Sequence, residues 1–425
     1  MSLVDALLTQ KVEAISPPLA ILLPDGKRIG PAQAAVTIRL KQLGPLAHIA
    51  AGEVGKVAQD YVEDRLDFTG SIRDLMRIAT QMIGGDPTQD MGGSPTLNWW
   101  REIRLNARSR ARHMAHLDAE QIQFHYDVSD DFYKLWLDPL RLYSCAYFRE
   151  PDMTIAQAQQ AKLDHICRKL MLKPGERFLD IGAGWGGLLM WAAEHYGVTG
   201  HGITLSRNQH EYVNGLIKAR GLTGRVTMEL RDYRDLPEGE PYDKIASIGM
   251  FEHVGRAYLP DYFAKIHRLL KPGGLLMNHG ITAGGTRNHQ LGAGMGEFIE
   301  RYIFPGGELT HVSKVTEVMS EAHLEPLDLE NLRPHYARTL WAWSDALEAQ
   351  LNDARGITGD RVTRAYRVYL AGSAMGFEQG WMALFQMLAA RPSGQVADGP
   401  MRGAQSAYPF NRGYVYDPRS DRYRE

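Results

Sequence analysis

Phe178-Leu179-Asp180-Ile181-Gly182-Ala183-Gly184-Trp185-Gly186-Gly187 runs from a short apolar strand pattern into a glycine turn, and the helical pattern GLLMWAAEHYG follows at once. Glycines at 182, 184 and 186 let the backbone turn tightly and approach a ligand without Cβ clashes. The helix start beyond them presents free N–H groups and the positive end of the dipole. Three readings fit such a loop. G-x-G-x-x-G, satisfied through Gly187, suits a dinucleotide. That reading wants an acid about 20 residues on, to hold the ribose; here the next strand ends Gly202-Ile203-Thr204-Leu205-Ser206, without one. The acid instead precedes the glycines, as Asp180. This suits a ligand with an amino-acid end, such as S-adenosylmethionine. A purely structural turn is the third reading, and the loop alone leaves all three open.

Apolar strand candidates alternate with helical stretches around this loop: Arg177–Ile181, Val198–Leu205, Val226–Leu230, Lys244–Gly249 and Gly274–His279. The alternation predicts an α/β fold, with a mostly parallel sheet and helices on both faces. Trp381–Leu388 is an extra strand or a buried helix. Upstream, Leu19–Leu23 and Ala35–Leu40 are short apolar runs, with Pro24-Asp25-Gly26 as a turn signal between them, and Ser71–Ile83 has helical spacing. Gly84–Thr96 reads as a linker or mobile loop, and residues 391–425 as a flexible or loosely docked tail. The expected organisation is a small N-terminal domain over 1–115, a larger domain over 116–392 and a polar tail over 393–425.

The 425 residues are 44% hydrophobic and 23% charged, which excludes a mostly disordered or fibrous chain. With 48 Lys plus Arg against 50 Asp plus Glu, a general nucleic-acid binder is not expected. Cys145 and Cys167 cannot build a disulfide framework or a cysteine-based zinc site, and no metal is expected. No run of about 18 apolar residues is present, and the first residues lack a basic, signal-like region. A cytoplasmic protein is the expectation.

Further motifs surround the loop. His125-Tyr126-Asp127-Val128-Ser129-Asp130-Asp131-Phe132-Tyr133 leads to Tyr143-Ser144-Cys145-Ala146-Tyr147-Phe148. Thr204-Leu205-Ser206-Arg207-Asn208-Gln209, Arg231-Asp232-Tyr233-Arg234 and Met250-Phe251-Glu252-His253-Val254-Gly255 follow. Tyr302-Ile303-Phe304-Pro305-Gly306-Gly307 and Tyr336-Ala337-Arg338-Thr339-Leu340 come last. In this order and spacing the set resembles the cyclopropane-fatty-acyl-phospholipid synthase family of S-adenosylmethionine-dependent methyltransferases, strongly over 120–390 and more weakly over 1–115.

The resemblance implies a Rossmann-like class I methyltransferase domain preceded by a smaller N-terminal domain. It implies a cofactor site of Tyr143, Ser144, Asp180, Gly182, Gly184, Gly186, Thr204, Ser206, Gln209, Asp232 and Tyr233. Thr204, Ser206 and Gln209 can hydrogen-bond the ribose or methionyl end, and Asp232 can accept from an adenine amino group. Ser206 and Gln209 also read as a helix N-cap with its first-turn partner. The implied reaction adds a methyl(ene) group to the cis double bond of an unsaturated phospholipid acyl chain. A cyclopropane then closes through a carbocation deprotonated by a bound bicarbonate ion. The implied cradle for that ion is Cys145, Glu252, His279, Ile281 and Tyr336, the Cys and Ile through backbone groups. Glu252 must share a proton, or fix His279, to sit beside an anion. Phe251 and Tyr302 are expected to line the acyl slot.

Asn98–Leu117 carries Trp99, Trp100 and several arginines, a mixture that suits an interfacial helix on anionic lipid or a solvated basic linker. Peripheral contact with the inner membrane face is therefore expected, and the resemblance also implies a homodimer. Competing readings are a relative giving methyl-branched, methylene or furan-precursor chains, an inactive lipid binder on the same fold, and a small-molecule O- or N-methyltransferase.

Overall fold

The computed structural model describes residues 9, 12–85, 87–88, 109, 130–286, 292–393 and 412–416. The interfacial candidate Asn98–Leu117 (Ser109 excepted), most of Gly84–Thr96 and the His125–Ser129 part of the first motif lie outside them.

The chain builds two sheets. The N-terminal one has four strands in the order β2-β1-β3-β4: β1 (Leu19–Leu22), β2 (Arg28–Ile29), β3 (Val36–Leu40) and β4 (Leu66–Gly70). The turn at Pro24-Asp25-Gly26 joins β1 to β2, and β1 pairs with β3 in parallel. Helix Ile72–Ile83 begins where the spacing predicts, with Ser71 Oγ accepting from the Arg73 N–H. This sheet shares one apolar core with two late helical stretches, Arg333–Glu348 and Leu351–Glu378, the latter interrupted at Gly359. Leu19, Ile21, Tyr366, Leu370 and Phe377 all belong to that core. Each such side chain contributes roughly 1.5–3 kcal/mol by leaving water. Arg364 fastens the joint: it donates to the carbonyls of Tyr61 and Leu66 and pairs with Asp67 at 3.3 Å.

The second sheet has seven strands in the order β10-β11-β9-β8-β5-β6-β7. They are β5 (Arg177–Ile181), β6 (Thr199–Thr204), β7 (Val226–Leu230), β8 (Tyr242–Ile248), β9 (Leu270–Ala283), β10 (Glu325–Asn331) and β11 (Met382–Ala390). Strands β7-β6-β5-β8-β9 are parallel, whereas β11 and β10 are antiparallel additions. Alternate residues face opposite layers: Phe178 and Ala246 pack under helices Ile155–Lys169 and Gly187–Tyr196, while Leu179, Ile181 and Ile245 pack under Leu259–Leu269 and Val312–Glu321. The late apolar run is thus a strand. By pairing along β9 from Leu275 to Ala283, it carries that strand past the expected end at His279.

From β5 the chain winds outward one way to β6 and β7, then returns to β8 on the other side of β5. The reversal opens a crevice at the carboxyl ends of β5 and β8, where open α/β sheets bind ligands. In the polar tail, residues 412–416 dock: Tyr414 and Val415 are buried, and Arg412 pairs with Asp328.

Candidate active site

The glycine loop leaves β5 at this crevice. Gly182, Gly184 and Gly186 have φ values of 74°, 55° and 79°, in the left-handed region that glycine alone enters without strain. The N–H groups of Gly182 and Ala183 donate to the Ile203 carbonyl, tying the loop to the end of β6. A Cβ on Gly186 would meet Val213 Cγ1 at 2.9 Å, whereas one on Gly184 would stand in open space. Gly186 therefore seats the loop on its neighbouring helix, and Gly184 faces a cavity.

That cavity, about 150 Å³, is bordered by Tyr143, Ser144, Asp180, Gly182, Gly184, Thr204, Gln209, Asp232 and Tyr233. Of the expected cofactor residues, only Gly186 and Ser206 are not on its wall. Ser206 instead caps helix Arg207–Ala219, accepting from the Gln209 N–H. Thr204 Oγ1 donates to Gln209 Oε1 at 2.8 Å, and Gln209 Nε2 is buried with no partner among the described residues. Asp232 is already held by Arg234 through both carboxylate oxygens, at 2.9 and 2.6 Å.

Tyr143 and Ser144 are placed by the motif before them. Asp138 accepts from the N–H groups of Leu140 and Leu142, forming the turn, and Gln159 Nε2 donates to the carbonyls of Leu142 and Ser144. Tyr133, Trp136 and Trp343 surround the Tyr143 ring at 5.3–5.7 Å. The aromatics of the motif thus hold one wall of the site.

Lys162, fully buried, lines the same cavity and donates to Ser144 Oγ at 2.7 Å. Burial pulls its ammonium down to about 8. Burial also pushes the Asp180 carboxyl up to about 7, with Lys162 opposing. The sequence reading did not single out Lys162, although it lies four residues from Ala158 and from Ile166 on one buried helix face.

A second cavity, about 460 Å³, adjoins the first; Tyr143, Ser144, Gly249 and His253 border both. Cys145, Glu252, His279, Ile281 and Tyr336, from separate parts of the chain, all line it. Glu252 Oε1 accepts from the Ile281 N–H at 2.7 Å, while Oε2 is buried and has no partner among the described residues. Burial pushes this carboxyl up to about 7. The Ile281 N–H is therefore engaged by Glu252. His279 is held well below the usual histidine range by burial and is neutral. Its Nδ1 lies 3.3 Å from Gln386 Nε2. With the amide donating, Nε2 carries the ring proton, and it too lacks a partner among the described residues. Buried polar atoms left unpaired cost ~1–3 kcal/mol each. An oxyanion between Glu252 and His279 would supply both partners, so the donor set fits one. Burial raises the Cys145 thiol far above its usual range, and Sγ rests 3.2 Å from its neighbour's carbonyl, so it packs as a protonated thiol.

Phe251 and Tyr302 are not on the cavity wall. Phe251 packs against Gly280 in the core under β9, and the Tyr302 hydroxyl donates to Glu63 of the N-terminal region at 2.7 Å. Phe304, Leu340, Tyr369 and Phe377 line the cavity instead. Tyr369, Ser373 and Phe377, four residues apart along one helix, form a stripe that carries no motif.

Comparison with known proteins identifies a family. The family model described as mycolic acid cyclopropane synthetase matches residues 113–387. A probable fatty acid methyltransferase of Pseudomonas putida is 43% identical over 399 residues, 93% of this chain and 96% of its own length. Cyclopropane mycolic acid synthase 1 of Mycobacterium tuberculosis is 40% identical over 278 residues, 62% of this chain and 94% of its own. The solved structure of the cyclopropane synthase MmaA2 from that organism superposes with a TM-score of 0.61 at 37% identity, over 64% of this chain and 98% of its own. The mycolic acid cyclopropane synthase CmaA1, complexed with SAH and CTAB, superposes at 0.60 with the same identity and coverage.

Proposed function

Since the chain belongs to the mycolic acid cyclopropane synthetase family, and so is an S-adenosylmethionine-dependent methyltransferase of fatty acyl chains, we propose that its substrate is the cis double bond of an unsaturated phospholipid acyl chain and its product a cyclopropane. The observation that carries this reading is the pair of buried atoms without a partner among the described residues, Glu252 Oε2 and His279 Nε2, of two residues that line a large cavity sharing a wall with the cofactor cavity.

Bound S-adenosylmethionine supplies an electrophilic methyl group. Asp180 and the glycine loop suit its amino-acid end, and Gln209 Nε2 offers a free donor to its polar groups. Tyr143 and His253, common to both cavities, stand where the methyl must cross. Phe304, Leu340 and Phe377 make an apolar surround that keeps water from a cation forming on the acyl chain. The Tyr143 and Tyr369 rings add π faces to the same space. Glu252 in its neutral form and the His279 Nε2–H are the donors that would hold bicarbonate, whose chemistry there is to take the proton lost as the ring closes. The enzyme would meet its lipid as a peripheral protein; among the described residues no helix is long and apolar enough to cross a membrane.

A second outcome, a methyl-branched, methylene or furan-precursor chain, is favoured by one observation: the relative that matches 93% of this chain is called a fatty acid methyltransferase. Gas chromatography with mass spectrometry separates the two. The protein is incubated with unsaturated phospholipid vesicles and S-adenosylmethionine, with and without bicarbonate. A gain of one CH₂ as a cyclopropane, stimulated by bicarbonate, is the expected result. A branched alkene selects the second outcome. No gain, with cofactor binding intact, overturns acyl methylation on these lipids.

A further inference from the structure

An apolar chamber of about 110 Å³ lies between the N-terminal sheet and helix Leu351–Glu378, beyond the catalytic cavity. Ile299, Tyr369, Ser373 and Met382 border both spaces, so the chamber shares a wall with the catalytic cavity, and none of its lining residues borders the cofactor cavity. Its far wall is built by Ile38 and Phe68 of the sheet and by Val57, Leu75 and Ala79 of the helices beside it. These precede residue 113, where the match to the family begins. Protein interiors rarely leave such a void, because an empty cavity costs stability in proportion to its volume. Two features keep this one open. Gly372 leaves one turn of the long helix without a side chain, and a Cβ there would find only Met76 Sδ, at 4.0 Å, whereas at Gly376 the Met382 side chain fills the space, with Cε 2.9 Å from where a Cβ would stand. Five of the chain's 17 methionines line the space, and their unbranched thioethers adapt to guests of differing shape. A phosphate or carboxylate would lose its hydration there without finding partners, so the guest is hydrocarbon.

We propose that this chamber receives the methyl-terminal end of the acyl chain, so that the N-terminal region sets how many carbons beyond the double bond the enzyme accepts. The proposal rests on the acyl-methylation reading. Gly372→Leu and Ala79→Phe fill the chamber from opposite walls. Wild type and both variants are given mixed vesicles of two phospholipids with cis-9 double bonds, in sixteen- and eighteen-carbon chains, and product ratios are read in the same tube by mass spectrometry. The variants are expected to shift the ratio toward the shorter chain, by up to about 15-fold if both extra methylenes lose their burial. An unchanged ratio in both overturns the proposal. Loss of both products also counts against it, since a chamber for the distal end spares the shorter chain more. Binding of a fluorescent long-chain fatty acid, which needs no turnover, is measured alongside. If wild type makes no product but binds the probe, and both variants lose it, the chamber stands and acyl methylation falls.

Discussion

Glu252→Gln isolates the group on which the proposed chemistry turns. The amide keeps the acceptor for the Ile281 N–H and the shape of the side chain, but it cannot ionise or share a proton. Glu252 does not border the cofactor cavity, so affinity for S-adenosylmethionine should stay nearly unchanged. If the carboxyl's own proton holds the bicarbonate that takes up the proton lost in ring closure, turnover should fall by about 10²–10⁴-fold. The substitution has a second signature that needs no activity. The carboxyl is raised from an ordinary 4.5 to about 7 by burial, so the folded chain holds a proton that the unfolded chain has released between those values. Its contribution to stability is complete below pH 4.5 and is lost as pH rises through about 7, a change of about 3 kcal/mol. Glutamine has no such loss. Denaturant titrations should therefore show the variant gaining on wild type by that order between pH 4.5 and 8. A variant that keeps more than about a tenth of wild-type turnover refutes the role given to Glu252 in holding the base. Parallel loss of cofactor affinity, or a stability difference flat with pH, refutes the geometry behind it.

Two further substitutions test the cofactor side. Gly184→Ala should cost roughly 1–2 kcal/mol for its left-handed backbone and weaken cofactor binding, because its methyl enters the cavity, whereas Gly186→Ala adds a collision with Val213 and should lose more stability; equal losses in thermal melts, or unaltered binding calorimetry for Gly184→Ala, would contradict this. Lys162→Met removes the ammonium that bonds Ser144 and opposes the raised Asp180 carboxyl, so cofactor affinity should drop about 10- to 100-fold. Wild-type affinity should also decline as pH rises past about 8, where Lys162 loses its proton, and the Met variant should show no decline there; calorimetric titrations at pH 7 and 9 check both.

Much of the fold was legible locally. Arg177–Ile181 and Val226–Leu230 are strands with the bounds their sequences predict: Phe178 to Ile181 of the central β5 are buried on both faces, whereas edge strand β7 alternates buried Val226 and Met228 with Thr227 and Glu229 on its outer face. β10 reads EPLDLEN, half exposed at the sheet edge, and its polarity hid it. The run over Trp381–Leu388 stayed ambiguous because an apolar stretch of that length suits a strand or a buried helix equally; pairing with β9 resolves it. Resemblance to a known family named five residues, Cys145, Glu252, His279, Ile281 and Tyr336, that the structure brings to the wall of one cavity. It misplaced Phe251 and Tyr302, whose motif positions say nothing of which way their rings turn.

By itself the sequence determined the glycine loop and the alternation that makes the parallel sheet, because each is a short-range pattern of backbone freedom or periodicity; its motifs carried the resemblance to a lipid methyltransferase family. Only the tertiary structure decided that Lys162 stands under Ser144, and that the Ile281 N–H belongs to Glu252. It alone also joined the N-terminal sheet to the long helix to enclose an apolar chamber. Those pairings bring together residues up to some hundreds of positions apart, and burial then raises the Glu252 and Asp180 carboxyls; neither effect exists until the chain has folded.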